Sequence, residues 1–144
     1  MPTYLPFAVT AATIALNAST HGTPATVVVN RSAGSTLVLP ASYGSGAEFD
    51  IVVGTSITSN NLIVQVANAS DVMTGQCVTL QDAGDTVLGF ETAADTDTIT
   101  LNGSTKGGLR GDRMRIKDIA MNVWQVQIIC AGTGTEVTPF SAAV

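Results

Sequence analysis

The stretch RMRIKDIAMNVWQVQIIC, residues 113–130, decides the fold class. Charged and apolar side chains alternate from Arg113 to Lys117, and Trp124, Val126 and Ile128 then alternate with Gln125 and Gln127. A repeat of two sends successive side chains to opposite faces of a strand, whereas a helix needs apolar positions about every three or four residues. The segment therefore reads as two strands, 113–119 and 123–130, joined by a turn at Met121-Asn122. This predicts that Arg113, Arg115 and Lys117 share one face, with Met114 and Ile116 on the other. It also predicts that the Trp124 ring anchors a core with Ile51, Val53, Val64, Val66, Ile99 and Ile128 from facing sheets.

Working outward, strands are expected at 26–30, 36–39, 48–53, 62–67, 76–80, 86–90 and 98–101. Each is rich in Val, Ile, Leu or Thr and bounded by Gly, Asn, Asp or Ser. The stretch TSNNLIVQVANASDV has the Ala content of a helix, but its alternation and β-branched residues make it a strand. Turns are expected at Gly34, Gly44, Asn60, Ala83 and Asn102-Gly103, the last as a hairpin, because type I′ turns need positive φ twice. No regular helix is expected. The fold class is all-β, a compact sandwich or barrel-like domain.

Charged residues make up 12% of the chain, against about a quarter in ordinary soluble proteins. Mean hydropathy is +0.34, yet no apolar run approaches the roughly 20 residues of a spanning helix, so no membrane partner is expected. So much apolar surface with so little charge points to contact with protein.

The opening MPTYLPFAVTAATIALNAST lacks the cationic start of an export signal. Pro2 and Pro6 oppose helix and favour an extended segment. Residues 1–24 are expected to form an N-terminal arm held by a partner through Tyr4, Leu5, Phe7 and Ile14, with residues 25–144 as the all-β domain. Asn-X-Ser/Thr sequons begin at Asn17, Asn30, Asn68 and Asn102, and without export they reflect composition rather than glycosylation.

Few residues offer chemistry. Cys77 and Cys130 sit in apolar alternation without CxxC spacing, as two buried free thiols or a disulfide. His21, the single histidine, stands in STHGTP and reads as a surface turn residue, which leaves no Cys/His metal set. Asp82, Asp85, Glu91, Asp95 and Asp97 match no calcium-loop template and read as solvated turns. Neither a glycosidase carboxylate pair beside an aromatic platform nor a GxSxG elbow is present. No enzymatic activity and no cofactor are expected.

The basic strip, TKGGLRGDRMRIKD at 105–118, holds five of the six cationic residues. Nucleic-acid binding would call for interleaved aromatics and a basic balance, but the net charge is −5, so no nucleic-acid partner is expected. Arg110-Gly111-Asp112 falls where a Gly-rich turn enters a strand, and turn chemistry accounts for it. The strip is expected to meet carboxylates of a neighbouring copy or of an underlying surface through Arg110, Arg113, Arg115 and Lys117.

Two segments carry a resemblance: AGSTLVLPASYGSGAEFDIVVGTSITSNNLIVQVANASDVMTG (33–75) and TDTITLNGSTKGGLRGDRMRIKDIAMNVWQVQIICAGTGTEVTPFS (96–141). They combine a Gly-Ser-Thr turn, a strand ending in Leu-Pro-Ala, a Gly-rich loop, alternating strands, and Gly-Asp before a strand. In this they resemble small structural proteins of tailed bacteriophages, the head decoration or capsid-stabilising proteins. The resemblance implies a non-enzymatic virion component on the outer surface of the capsid head. It further implies a symmetric homotrimer, with the major capsid protein as partner. The alternative is a head-fibre or tail-spike tip that binds a host receptor or glycan.

Overall fold

The computed structural model describes residues 5–82 and 85–144. The chain is nearly all-β, with two sheets whose inner faces meet in one core. Three short strands precede or follow those that the pattern predicts: β1 (Phe7–Val9), β2 (Thr13–Ala15) and β12 (Phe140–Ser141). Between them lie β3 (Thr26–Val29), β4 (Thr36–Val38), β5 (Glu48–Val53), β6 (Leu62–Gln65), β7 (Val72–Gln81), β8 (Val87–Glu91), β9 (Thr98–Leu101), β10 (Arg113–Ala120) and β11 (Val123–Gly132). Every strand expected from alternation is present, with ends shifted by a few residues.

The first six strands alternate between the two sheets. β1, β3 and β5 lie side by side and parallel in one sheet, and β2, β4 and β6 do the same in the other. The chain thus makes three successive turns around a shared interior before β7. The seven-stranded sheet has the order β1-β3-β5-β10-β11-β7-β8, and the five-stranded sheet β12-β9-β6-β4-β2. Long ladders join β10 to β11 antiparallel and β11 to β7 parallel. Within the parallel ladder a Cβ on Gly75 would sit 1.8 Å from the Val126 carbonyl oxygen, so only glycine allows that approach.

All seven residues expected to close the core are buried. The Trp124 ring is fully buried, 6.0 Å from the Phe49 ring between centroids. Its indole N–H finds no partner among the described residues, so the ring contributes through packing.

Three expectations need correction. Residues 7–21 are not a free arm: β1 and β2 are edge strands of the chain's own sheets, and Phe7 and Ile14 pack against its core. Extended backbone with apolar side chains found partners in β3 and β4 at lower entropic cost than in another chain. His21 is buried rather than exposed, ending the four-residue helix α1 (Ala18–His21). Its Nδ1 accepts from the Asn17 N–H at 3.0 Å, and its ring meets Phe7 edge-on at 4.4 Å. Asn102-Gly103 makes no hairpin, because β9 and β10 belong to different sheets and only Gly103 of the pair has positive φ. Consecutive positive φ values occur instead at Asn60 and Asn61, where the chain crosses from β5 to β6, and at Gly107 and Gly108 in the turn before β10.

Replacing Trp124 by Ala is expected to lower stability by about 3–5 kcal/mol, through lost burial and the cavity left behind. Urea unfolding followed by circular dichroism measures it, and an unchanged midpoint would contradict the packing described.

Candidate functional site

On β10 the alternation holds: Arg113, Arg115 and Lys117 point outward, and Met114, Ile116 and Asp118 inward. The cations meet carboxylates of their own chain. β5 runs antiparallel beside β10, setting Asp50 opposite Arg115 and Glu48 opposite Lys117. Arg113 grips Asp50 with a two-pronged contact, Nε to Oδ1 at 2.7 Å and a terminal nitrogen to Oδ2 at 2.6 Å, which raises the guanidinium further above its ordinary value. Arg115 Nε lies 3.5 Å from Glu48. Lys117 makes no ion pair among the described residues. Two of the three cations thus have carboxylates on a neighbouring strand of their own chain.

Arg110 is exposed on the turn before β10, its N–H donating to Ser56 at 2.9 Å. Asp112 is buried, and its carboxylate accepts from the N–H groups of Gly108, Leu109 and Ala131. A carboxylate so engaged caps its own loop, which removes Arg110-Gly111-Asp112 as an adhesion tag. Burial pushes the Asp112 carboxyl up, against the pull of those three N–H groups.

Asp118 organises the turn expected at Gly44, a role that sequence reasoning did not assign to it. Its Oδ1 accepts from Gly44 N–H at 2.9 Å, and its Oδ2 from Ser45 N–H at 2.9 Å and the Ser45 hydroxyl at 2.7 Å. The Ser42 hydroxyl lies 2.7 Å from Asp118 Oδ1 and accepts from Val123 N–H, tying the loop to the start of β11. Burial alone would raise this carboxyl, but the hydrogen bonds from Ser42, Ser45 and Gly44 outweigh it and hold the group well below the carboxylate range. Asp97 likewise opposes burial by accepting from Ala143 N–H, the Thr98 hydroxyl and Val144 N–H, and is lowered.

Tyr43, on the loop held by Asp118, belongs to an exposed apolar cluster. Tyr43 and Met121 are bridged backbone to backbone, and their side chains are 66% and 67% exposed, with exposed Ile119 beside them on β10. Leu5, 76% exposed, precedes β1 at this end of the sheet, where β3 and β5 also begin and β10 finishes. Of the apolar residues expected to make contacts from the N-terminus, Leu5 is the one among the described residues that is free to do so. Phe7 and Ile14 face inward, and Tyr4 lies outside the described residues. A second exposed apolar group, Val78, Leu80, Val87 and Ile129, sits on the outer face of the same sheet.

Comparison with protein families, curated proteins and solved structures gives no match. The surfaces therefore have to be read from their own chemistry. Cys77 and Cys130 are buried free thiols with sulfurs 3.7 Å apart, and both lie near the Thr79 hydroxyl. Contact with Cys77, together with burial, pushes the Cys130 thiol up. Among the described residues no three of His, Cys, Asp and Glu gather as a metal site requires.

The lowered Asp118 carboxyl predicts a pH signature. A depressed folded value contributes stability above the unfolded value, about 3.9, and loses it as pH falls through the folded one. Asp118→Asn should cost about 1–3 kcal/mol near neutrality by leaving loop donors unpaired. The gap to wild type should narrow as the medium is acidified below about pH 4. Urea midpoints across pH measure this; a gap independent of pH would show that the charge at Asp118 is not what holds the loop.

Proposed function

We propose that this chain is a non-enzymatic structural protein of a tailed-bacteriophage virion, bound to the outer surface of the capsid head, which it stabilises. The observation that carries the reading is the apolar end of the seven-stranded sheet, where Leu5, Tyr43, Ile119 and Met121 stand in water. Aromatic and Met side chains are enriched in protein contacts, and a loop already fixed by Asp118 loses little further entropy when it docks. The low charge and the two segments that resemble decoration proteins support the same reading.

In this proposal the major capsid protein is the partner, and the sheet end, rather than the basic strip, makes the attachment. A protein that binds only the assembled shell adds its binding free energy to that state, which is how it would cement the head. The homotrimer implied by the resemblance belongs to this proposal too.

The second reading, a head-fibre or tail-spike tip for a host receptor or glycan, is favoured by one feature: Tyr43 is an exposed aromatic on a rigid loop. Copy number separates the two. Quantitative mass spectrometry and electron microscopy of purified virions should find hundreds of copies spread over the head, on the order of the capsid subunit number; a few copies at the tail or at one vertex would favour the tip.

Tyr43→Ser combined with Met121→Ser should weaken binding to empty heads by about ten- to a hundred-fold while leaving the fold intact. Co-sedimentation with heads measures it, with circular dichroism as the folding control. Wild-type occupancy by this variant would remove the apolar end from the proposal.

A further inference from the structure

The outer face of the seven-stranded sheet forms a grid that the ladders define residue by residue. One row across β10, β11, β7 and β8 reads Arg113, Ile129, Val78, Gly89. The next reads Arg115, Gln127, Gln76, Glu91. Beyond the first row, Ala131, Leu80 and Val87 lie opposite one another. Ile129 is 62% exposed, and Val78, Leu80 and Val87 are exposed with it, so one corner of an otherwise polar face is apolar. Gln127 and Ile129 form a ridge between two shallow depressions. One, of about 270 Å³, is lined by Arg113 and Arg115, and the other, of about 200 Å³, by Gln76 and Val78.

We propose that this face is a contact between two copies of the chain, related by a two-fold axis that runs along the strands between β11 and β7. Such an axis lays β11 of one copy over β7 of the other and β10 over β8. Ile129 then meets Val78 of the second copy, and Gln127 meets Gln76, whose amides can donate and accept in both directions. Arg115 comes to Glu91 of the second copy, a carboxylate with no ion pair of its own among the described residues. Arg113 lies over Gly89 of the second copy, where a Cβ would meet nothing within 4 Å.

The complementarity selects the axis. Shifted onto β10, it would stack Arg113 and Arg115 on themselves, and like charges facing each other cost affinity. Between β11 and β7 the central rows match, apolar on apolar, amide on amide and Arg115 on Glu91, and Arg113 falls over the open surface at Gly89. Aligned sheets pack face to face with a rotation of about 30°, so register is kept best near the axis, and the long Arg115 and Glu91 side chains bridge the offset farther out. An isologous contact of this kind closes on itself and leaves the apolar end of the sheet free. Combined with the homotrimer of the proposed function, formed through another surface, it gives six copies, so a trimer alone would keep that reading and remove this contact.

The inference does not rest on the capsid reading and is tested on the purified chain alone. Analytical ultracentrifugation at tens of micromolar is expected to find an even number of copies. Ile129→Gln, Arg115→Glu and Glu91→Arg should each weaken association by about ten-fold or more. The double exchange Arg115→Glu with Glu91→Arg should restore it, which a merely structural role for either residue would not do. Arg115→Glu places a second carboxylate beside Glu48 of its own chain, so Glu91→Arg, on an exposed edge strand, is the variant that keeps the test decisive if the first fails to fold. A wild-type chain that stays monomeric, its face left for an unlike partner such as the shell, overturns the inference. So does an odd number of copies, or folded Ile129→Gln and Glu91→Arg variants that associate as tightly as wild type.

Discussion

The inward side chains of β11, from Trp124 through Val126 and Ile128 to Cys130, set the parity of the whole seven-stranded sheet. They are buried against the facing sheet, so a slip of one residue would carry an indole ring into water and bring glutamines into the core. With β11 held, the antiparallel ladder to β10 and the parallel ladder to β7 have one register each. The positions of Arg113, Arg115, Gln76 and Val78 on the outer face follow from that. Core and surface are two sides of the same constraint.

Buried carboxylates supply the second level of order. Asp118, Asp112 and Asp97 each turn inward and collect backbone N–H groups from irregular segments: the loop at 42–45, the turn at 108–109 and the residues 143–144. Irregular backbone cannot satisfy itself through ladders, so a carboxylate with several acceptor sites is an efficient partner for it. In a chain with only 11 acidic residues, these three and Asp71, which accepts from the Ser42 N–H, are spent in this way. That leaves little charge for solvation and helps to explain why apolar side chains remain on the surface.

Those apolar side chains fall into two groups with different neighbours. The cluster at the sheet end gathers around a loop fixed by Asp118, just beyond the last residue of the basic strip, and suits attachment to another protein. The quartet around Ile129 lies within a graded face that runs from cation through amide to carboxylate, and such a face can recognise itself. Arg113 and Arg115 have already satisfied part of their charge on Asp50 and Glu48, which lowers the cost of bringing them into a contact.

What the sequence by itself determined was local. Alternation over 113–130 specified two strands, the inward and outward residues of each, and the burial of Trp124, because the two-residue period of a strand is written directly into side-chain order. The same logic found the strands from β3 to β11. It could not reveal β1, β2 and β12, which are two or three residues long and exist only because β3, β4 and β9 offer them a ladder. Nor could it show that successive strands alternate between sheets, so Asn102-Gly103 looked like a hairpin and residues 7–15 like an arm. The partners of Asp118 lie 73 to 76 residues away in the chain, and those of Arg113 lie 63 away. Only the tertiary structure decided which charges are spent inside the fold and which apolar side chains are left facing out, because both depend on what the ladders bring together across the chain.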